Sequence, residues 1–230
     1  MTILKYGLLR NFRSPISTLA SAVAPIAIVF GFANVWRTDP AIGVGILAII
    51  VMMASYLSAG LVLQDRIDGS VIRVMVSPVG MFSYVLQNIL AAMIPAFVYV
   101  ATLAVVGFAS YNWGIAFAIG IAVTMLLFAF TNIVFTFFLN SFFNSKMNSH
   151  YAYLFVVIVM AFLCGLLLPR EALPAMLQHV GAAFYPYWLL RGVNSLVEYG
   201  MTFQFWLYQL VIGAFAIVLL LIGGRKKGQS

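Results

Sequence analysis

Long apolar runs separated by short polar breaks organise this chain. A helix crossing the hydrocarbon layer, roughly 30 Å thick, needs about 20 mostly apolar residues. Runs near that length fall at residues 16–36, 41–63, 81–108, 115–139, 151–168 and 203–222, which predicts six spans. Pro25 and Pro95 lie inside the first and third runs. A proline is tolerated there because neighbouring helices satisfy the carbonyl it frees, usually at a kink. Ser55, Ser58 and Ala59 in the second run are small residues that let helix backbones approach closely. Ala116, Gly120 and Thr124, four apart in the fourth, form a similar face. Residues 37–40 and 110–114 read as turns.

The segments between and beside the runs have patterns of their own. Residues 2–14 place Leu4, Leu8 and Leu9 at helical spacing among Lys5, Arg10 and Arg13. That predicts an interfacial helix over residues 1–15. Residues 169–200 hold no full span. Leu173, Met176, Leu177 and Val180 fall at i, i+3, i+4 and i+7, so an amphipathic helix is expected from near Pro174. The apolar stretch from Ala182 to Leu190 is interrupted by Pro186 and bounded by Arg191, too short to cross. Two short helices re-entering from the outer side are expected. The predicted fold is therefore an all-α membrane protein, one domain over residues 1–230.

One polar break stands apart. Residues 64–79, QDRIDGSVIRVMVSPV, hold two aspartates and two arginines in a chain only 7% charged. Asp68 is placed to cap a helix beginning at Gly69, and Pro78 stops it by pushing its predecessor out of the α region. Val71, Val74 and Met75 line one side of that helix. A helix this short is marginal alone in water, so a docking surface is expected to hold it. The loop over residues 64–80 is read as a candidate site on that ground.

Composition agrees with a membrane class. Hydrophobic residues make up 64% of the chain, and the mean hydropathy of +1.09 lies outside the soluble range. The formal charge of +7 does not form a patch for nucleic acid. Basic residues sit at the ends of runs, where they fix orientation and meet anionic headgroups. With both termini cytoplasmic, Lys5, Arg10, Arg13, Arg66, Arg73, Lys146, Arg225, Lys226 and Lys227 lie inside. Arg37, Arg170 and Arg191 lie outside. That bias puts the polar loop in the cytoplasm. The first run is long enough to span and no small-residue cleavage pattern follows it, so a retained anchor is expected. The single cysteine, Cys164, excludes an internal disulfide and reads as a packing residue.

No covalent chemistry is indicated. The pattern G-x-x-x-x-G-K-[ST] is absent, and so is H-E-x-x-H. His150 and His179 fall on opposite faces and cannot share a metal with Cys164; neither catalytic nor metal residues are expected. The six runs contain no Asp, Glu, Lys, Arg or His, whereas ion- and proton-coupled transporters commonly place such groups at the membrane centre. Energy is then expected from outside the chain, as a mechanical push. Some sodium-coupled transporters use backbone carbonyls instead, so an ATPase-independent secondary transporter or channel is the alternative.

Residues 65–79, DRIDGSVIRVMVSPV, resemble the acidic-Gly-Thr-Leu-x-x-Leu-x-x-(Ser/Thr)-Pro segment of type 2 ABC transporter permeases. In that family it follows the second span and forms the coupling helix that enters a cleft on the ATPase. Residues 168–174, LPREALP, with Tyr185, Pro186, Tyr187, Leu190 and Arg191, resemble the family's proline-rich segment outside the fifth span. The chain departs from the pattern at Asp65 and Asp68, where glutamate is usual. Ser70 and Val71 replace Thr-Leu, and Arg73 stands where many members carry an acidic or polar residue.

The resemblance implies the membrane subunit of an ABC exporter in the cell (inner or plasma) membrane. It implies a second permease chain, identical or related, and a separate cytoplasmic ATPase. ATP and Mg would sit on that ATPase, with no cofactor on this chain. It assigns ATPase coupling to Asp65, Arg66, Asp68, Gly69, Ser70, Val71, Ile72, Arg73, Val74 and Met75. Family members line the substrate path mainly with the second and fifth spans, which makes Met52, Met53, Tyr56, Phe155, Met160 and Phe162 candidates. Methionines and aromatics adapt to irregular apolar ligands. A hydrophobic or amphipathic cargo (a drug, peptide antibiotic or lipid-like molecule) is expected.

Overall fold

The computed structural model describes residues 40–69, 81–111, 113–167 and 172–225, together with the helical residues 27, 30 and 31. The interfacial helix expected over residues 1–15, and all but those three residues of the first run, lie outside this set. Seven helices follow one another among the described residues. They are α1 (Pro40–Ile67), α2 (Met81–Tyr111), α3 (Ile115–Asn140), α4 (Lys146–Leu163), α5 (Ala175–Gly181), α6 (Tyr185–Tyr199) and α7 (Phe203–Arg225). Five of them, α1 to α4 and α7, are long and apolar enough to cross a membrane. No strand occurs among the described residues.

The bundle is built around α3, which packs against α1, α2, α4, α6 and α7. Its buried face joins Leu47 and Met52 of α1, Tyr153 of α4, Tyr185 and Val193 of α6, and Phe205 and Ile212 of α7 in one cluster. Gly120 and Thr124 of the anticipated small-residue face are buried, while Ala116 is exposed. A Cβ at Gly120 would lie 2.6 Å from the Leu196 methyls, so this glycine lets α6 lie close against α3.

Helix ends depart from the apolar runs for local reasons. The 28-residue α1 runs past its apolar stretch to Ile67. At about 1.5 Å per residue it measures about 42 Å, longer than the hydrocarbon layer. Gly69 then turns the chain with φ 70°. The next corner is tight because the Trp113 ring packs over Gly107, where a Cβ would lie 2.3 Å from it. Trp113 also meets Phe117 edge-on at 5.2 Å.

The fifth run is displaced. Its helix, α4, begins inside the polar break, at Lys146, and ends at Leu163 rather than Leu168. Polar residues can enter the helix because Ser149 Oγ donates to Asn140 Oδ1 at 2.6 Å. The other end is closed by a Schellman motif. Leu166 N donates to Ala161 O at 3.0 Å and Gly165 N to Phe162 O at 3.3 Å. Gly165 supplies the left-handed residue, φ 85°, that such a cap requires.

The two short helices expected after the fifth run are α5 and α6, at 7 and 15 residues. Both are shorter than a span. Pro174 is the N-cap of α5. Pro186 does not interrupt α6 but lies in its first turn, where the missing N–H costs nothing. The helix then continues through Arg191 to Tyr199, further than expected. Its buried face carries Tyr185, Leu189, Gly192, Val193, Ser195 and Leu196. Arg191 stays outside that face, its Nε donating to the Tyr187 hydroxyl at 2.9 Å. The apolar stripe of α5 is not packed inward, since Met176, Leu177 and Val180 are exposed.

A Cβ on Gly181 would lie 2.1 Å from the Leu163 carbonyl oxygen, a backbone atom that cannot step aside. Gly181→Ala is expected to destabilise the protein by about 1–3 kcal/mol in thermal unfolding in detergent. Gly213→Ala, whose nearest neighbour is the Leu127 Cδ1 at 3.9 Å, is expected to change it little.

Candidate functional site

The polar loop begins where α1 ends. Asp65, Arg66 and Ile67 are the last residues of α1, and Asp68 and Gly69 form the turn that follows. With φ 70°, Gly69 lies in the left-handed region, so it cannot open a right-handed helix. The helix start expected at Gly69 is therefore corrected. Asp68 closes α1: its N–H donates to Gln64 O at 2.9 Å and its Oδ1 accepts from Gln64 Nε2 at 2.8 Å. Ser70, Val71, Ile72, Arg73, Val74 and Met75 lie outside the described residues.

Asp65 is engaged inside the protein. Its Oδ2 accepts from the Tyr84 hydroxyl at 3.0 Å. Tyr84 lies in the first turn of α2 and is buried beside Val62, packed on Val85 of α2 and Phe137 of α3. The base of the loop is thus a junction of three helices.

The candidate path residues divide into two sets. Met52, Tyr56 and Met160 are buried in the main cluster, and Met53 packs against it half-buried. Phe155 and Phe162 point the other way, at 69% and 44% exposure. With Tyr151 and Ile158, also exposed, they make a stripe at i, i+4, i+7 and i+11 along α4. Helices α1 and α4 therefore share a packed inner seam, and α4 carries a separate aromatic outer face.

At the centre of that seam lies a polar node that the apolar-run reading missed. The Tyr185 hydroxyl donates to Asn132 Oδ1 at 2.6 Å. Asn132 Nδ2 donates to the Tyr153 hydroxyl at 3.3 Å, and that hydroxyl donates to Met52 O at 2.6 Å. One amide therefore links α3 to α6 and α4, and through Tyr153 to α1. Asn132 and Tyr153 have no exposed surface and Tyr185 almost none. Tyr56 stacks on Tyr153 at 4.8 Å between ring centroids and lies 5.1 Å from His150. The node lies within a polar stripe along α3. Thr124 accepts from Gln209 Nε2 of α7 at 2.8 Å, and Thr131 donates to Ile212 O of α7 at 3.1 Å. Thr136 donates to Asn132 O. The recurrence of Thr and Asn at four-residue spacing was the available signal.

No group of three or more His, Cys, Asp or Glu is placed to hold a metal ion among the described residues.

Residues 1–197 match the family described as ABC-2 type transporter. No curated protein matches the chain.

Asn132→Leu strands the buried Tyr185 hydroxyl without its acceptor and is expected to cost about 1–3 kcal/mol. Tyr185→Phe removes the donor and is expected to cost about 1 kcal/mol. The double variant is expected to be less destabilised than the sum of the two, as measured by denaturant unfolding in mixed micelles.

Proposed function

The chain belongs to the ABC-2 type transporter family, and on that premise we propose that it is the membrane-spanning permease subunit of an ATP-driven exporter. Two such chains, identical or related, pair in the cell membrane with their termini in the cytoplasm. Each engages a separate cytoplasmic ABC ATPase that carries ATP and Mg. The cargo is hydrophobic or amphipathic and moves outward.

The observation that carries this reading is the continuity of α1. One helix runs from the carbonyl of Met52 at the node to Asp65 at the base of the coupling loop. Thirteen residues separate them, about 20 Å along a helix. Closure of the ATPase dimer displaces residues 70–76, and α1 delivers that displacement to Tyr153 and Tyr185 through the node. The fifth span, which offers Tyr151, Phe155, Ile158 and Phe162 on an open face, then moves against the second. That face supplies adaptable aromatic contact for an apolar cargo without a fixed charge to bind an ion.

Val74 and Met75 are the apolar contacts expected to seat the loop on the ATPase. Val74→Asp or Met75→Asp is expected to weaken copurification of the ATPase by about tenfold or more while leaving the membrane domain folded. Unchanged association and unchanged ATP hydrolysis in the complex would remove the docking role from these residues.

A further inference from the structure

The coupling loop leaves the membrane domain at the end of α1 and returns at the start of α2. Both are terminal turns, whose backbone groups lack a full set of intrahelical partners. Such turns open locally at little cost. A displacement applied to the loop would be absorbed by fraying there unless something ties the two turns together.

Among the described residues the structure holds such a tie. Asp65 lies in the last turn of α1 and Tyr84 in the first turn of α2, and the Tyr84 hydroxyl donates to Asp65 Oδ2 at 3.0 Å. Both residues are fixed from behind. Tyr84 is only 5% exposed, its ring held by Val62, Val85 and Phe137, and its own carbonyl accepts from Asn88 Nδ2 at 2.9 Å. The α1 end is closed by the Gln64 to Asp68 contact, so the carboxyl of Asp65 sits on an ordered turn. Phe137 carries the junction on to α3, the helix that holds the node.

We propose that the Tyr84–Asp65 hydrogen bond clamps the base of the coupling loop, and that Tyr84 is a positioning residue for the ATPase. This deepens the proposed function and rests on it. Tyr84 touches neither nucleotide nor cargo. It sets the spacing of the loop's two ends, so that the loop meets the ATPase in one geometry and α1 and α2 move as a unit. Asp65, which the family resemblance assigns to ATPase contact, acts instead through Tyr84.

Two measurements test the clamp. In the first, amide hydrogen exchange is followed on the permease alone in nanodiscs. Tyr84→Phe, which keeps the ring, and Asp65→Leu are each expected to speed exchange at residues 65–69 and 85–88 by about tenfold, the effect of one lost hydrogen bond. Asp65→Asn keeps an acceptor oxygen and is expected to stay near wild type. In the second, the copurified ATPase is titrated onto the same nanodiscs. Tyr84→Phe is expected to lower its affinity several-fold, Asp65→Asn to leave it unchanged, and the double variant Tyr84→Phe, Asp65→Leu to be no weaker than either single change.

Wild-type exchange in Tyr84→Phe would overturn the clamp. So would weakened ATPase binding in Asp65→Asn with none in Tyr84→Phe, because Asp65 would then meet the ATPase directly. If the wild-type chain binds no ATPase, the proposed function falls, and the exchange measurement still decides the clamp.

Discussion

Inside the hydrocarbon layer a polar group has no water to turn to, so each must be answered by another part of the chain. Asn132 concentrates that constraint. Its amide is answered by two tyrosine hydroxyls from α4 and α6, and Tyr153 passes the link on to the Met52 carbonyl of α1. None of these groups can move alone without leaving a partner stranded. The rest of α3 repeats the solution on a smaller scale. Thr124 and Thr131 turn to α7, while Asn140 at its end turns to Ser149 of α4. Helix packing in membranes lacks a strong hydrophobic drive between helices, so small residues and interhelical hydrogen bonds decide which surfaces meet.

On the proposed function, this arrangement supplies the domain with a mechanical axis. The node joins α1, α3, α4 and α6 at one depth, and the base of the polar loop joins α1, α2 and α3 at another. The two junctions share α1 and α3. A rigid helix between them transmits movement along its length, because its backbone bonds are satisfied within the segment. The stripe of α5 and the outer face of α4 are exposed.

Much of this was legible in the apolar runs, for a simple reason. Run length reports the thickness of the solvent, and the second, third, fourth and sixth runs matched their helices to within a few residues. The fifth did not. Its ends are set by the Ser149–Asn140 bond and by Gly165, local chemistry that an average over apolar residues erases. The extension of α6 through Arg191 escaped for a related reason, since Pro186 can start a helix as readily as stop one. The link among Asn132, Tyr153 and Tyr185 was missed because the three come from separate segments, and tyrosine within an apolar run looks like one more hydrophobe. At the polar loop the helix start expected at Gly69 gave way to a positive φ, and the contact of Asp65 with the buried Tyr84 was not signalled by any spacing in the sequence.

The central claim is that the energy for movement comes from a separate ATPase through the loop that follows α1. Purification of the chain from its native membrane in mild detergent tests this most directly. The account predicts that a partner bearing the Walker pattern copurifies, one per permease chain, and hydrolyses ATP in the complex. A chain that purifies without such a partner, and in proteoliposomes moves solute on an ion gradient alone, would contradict it.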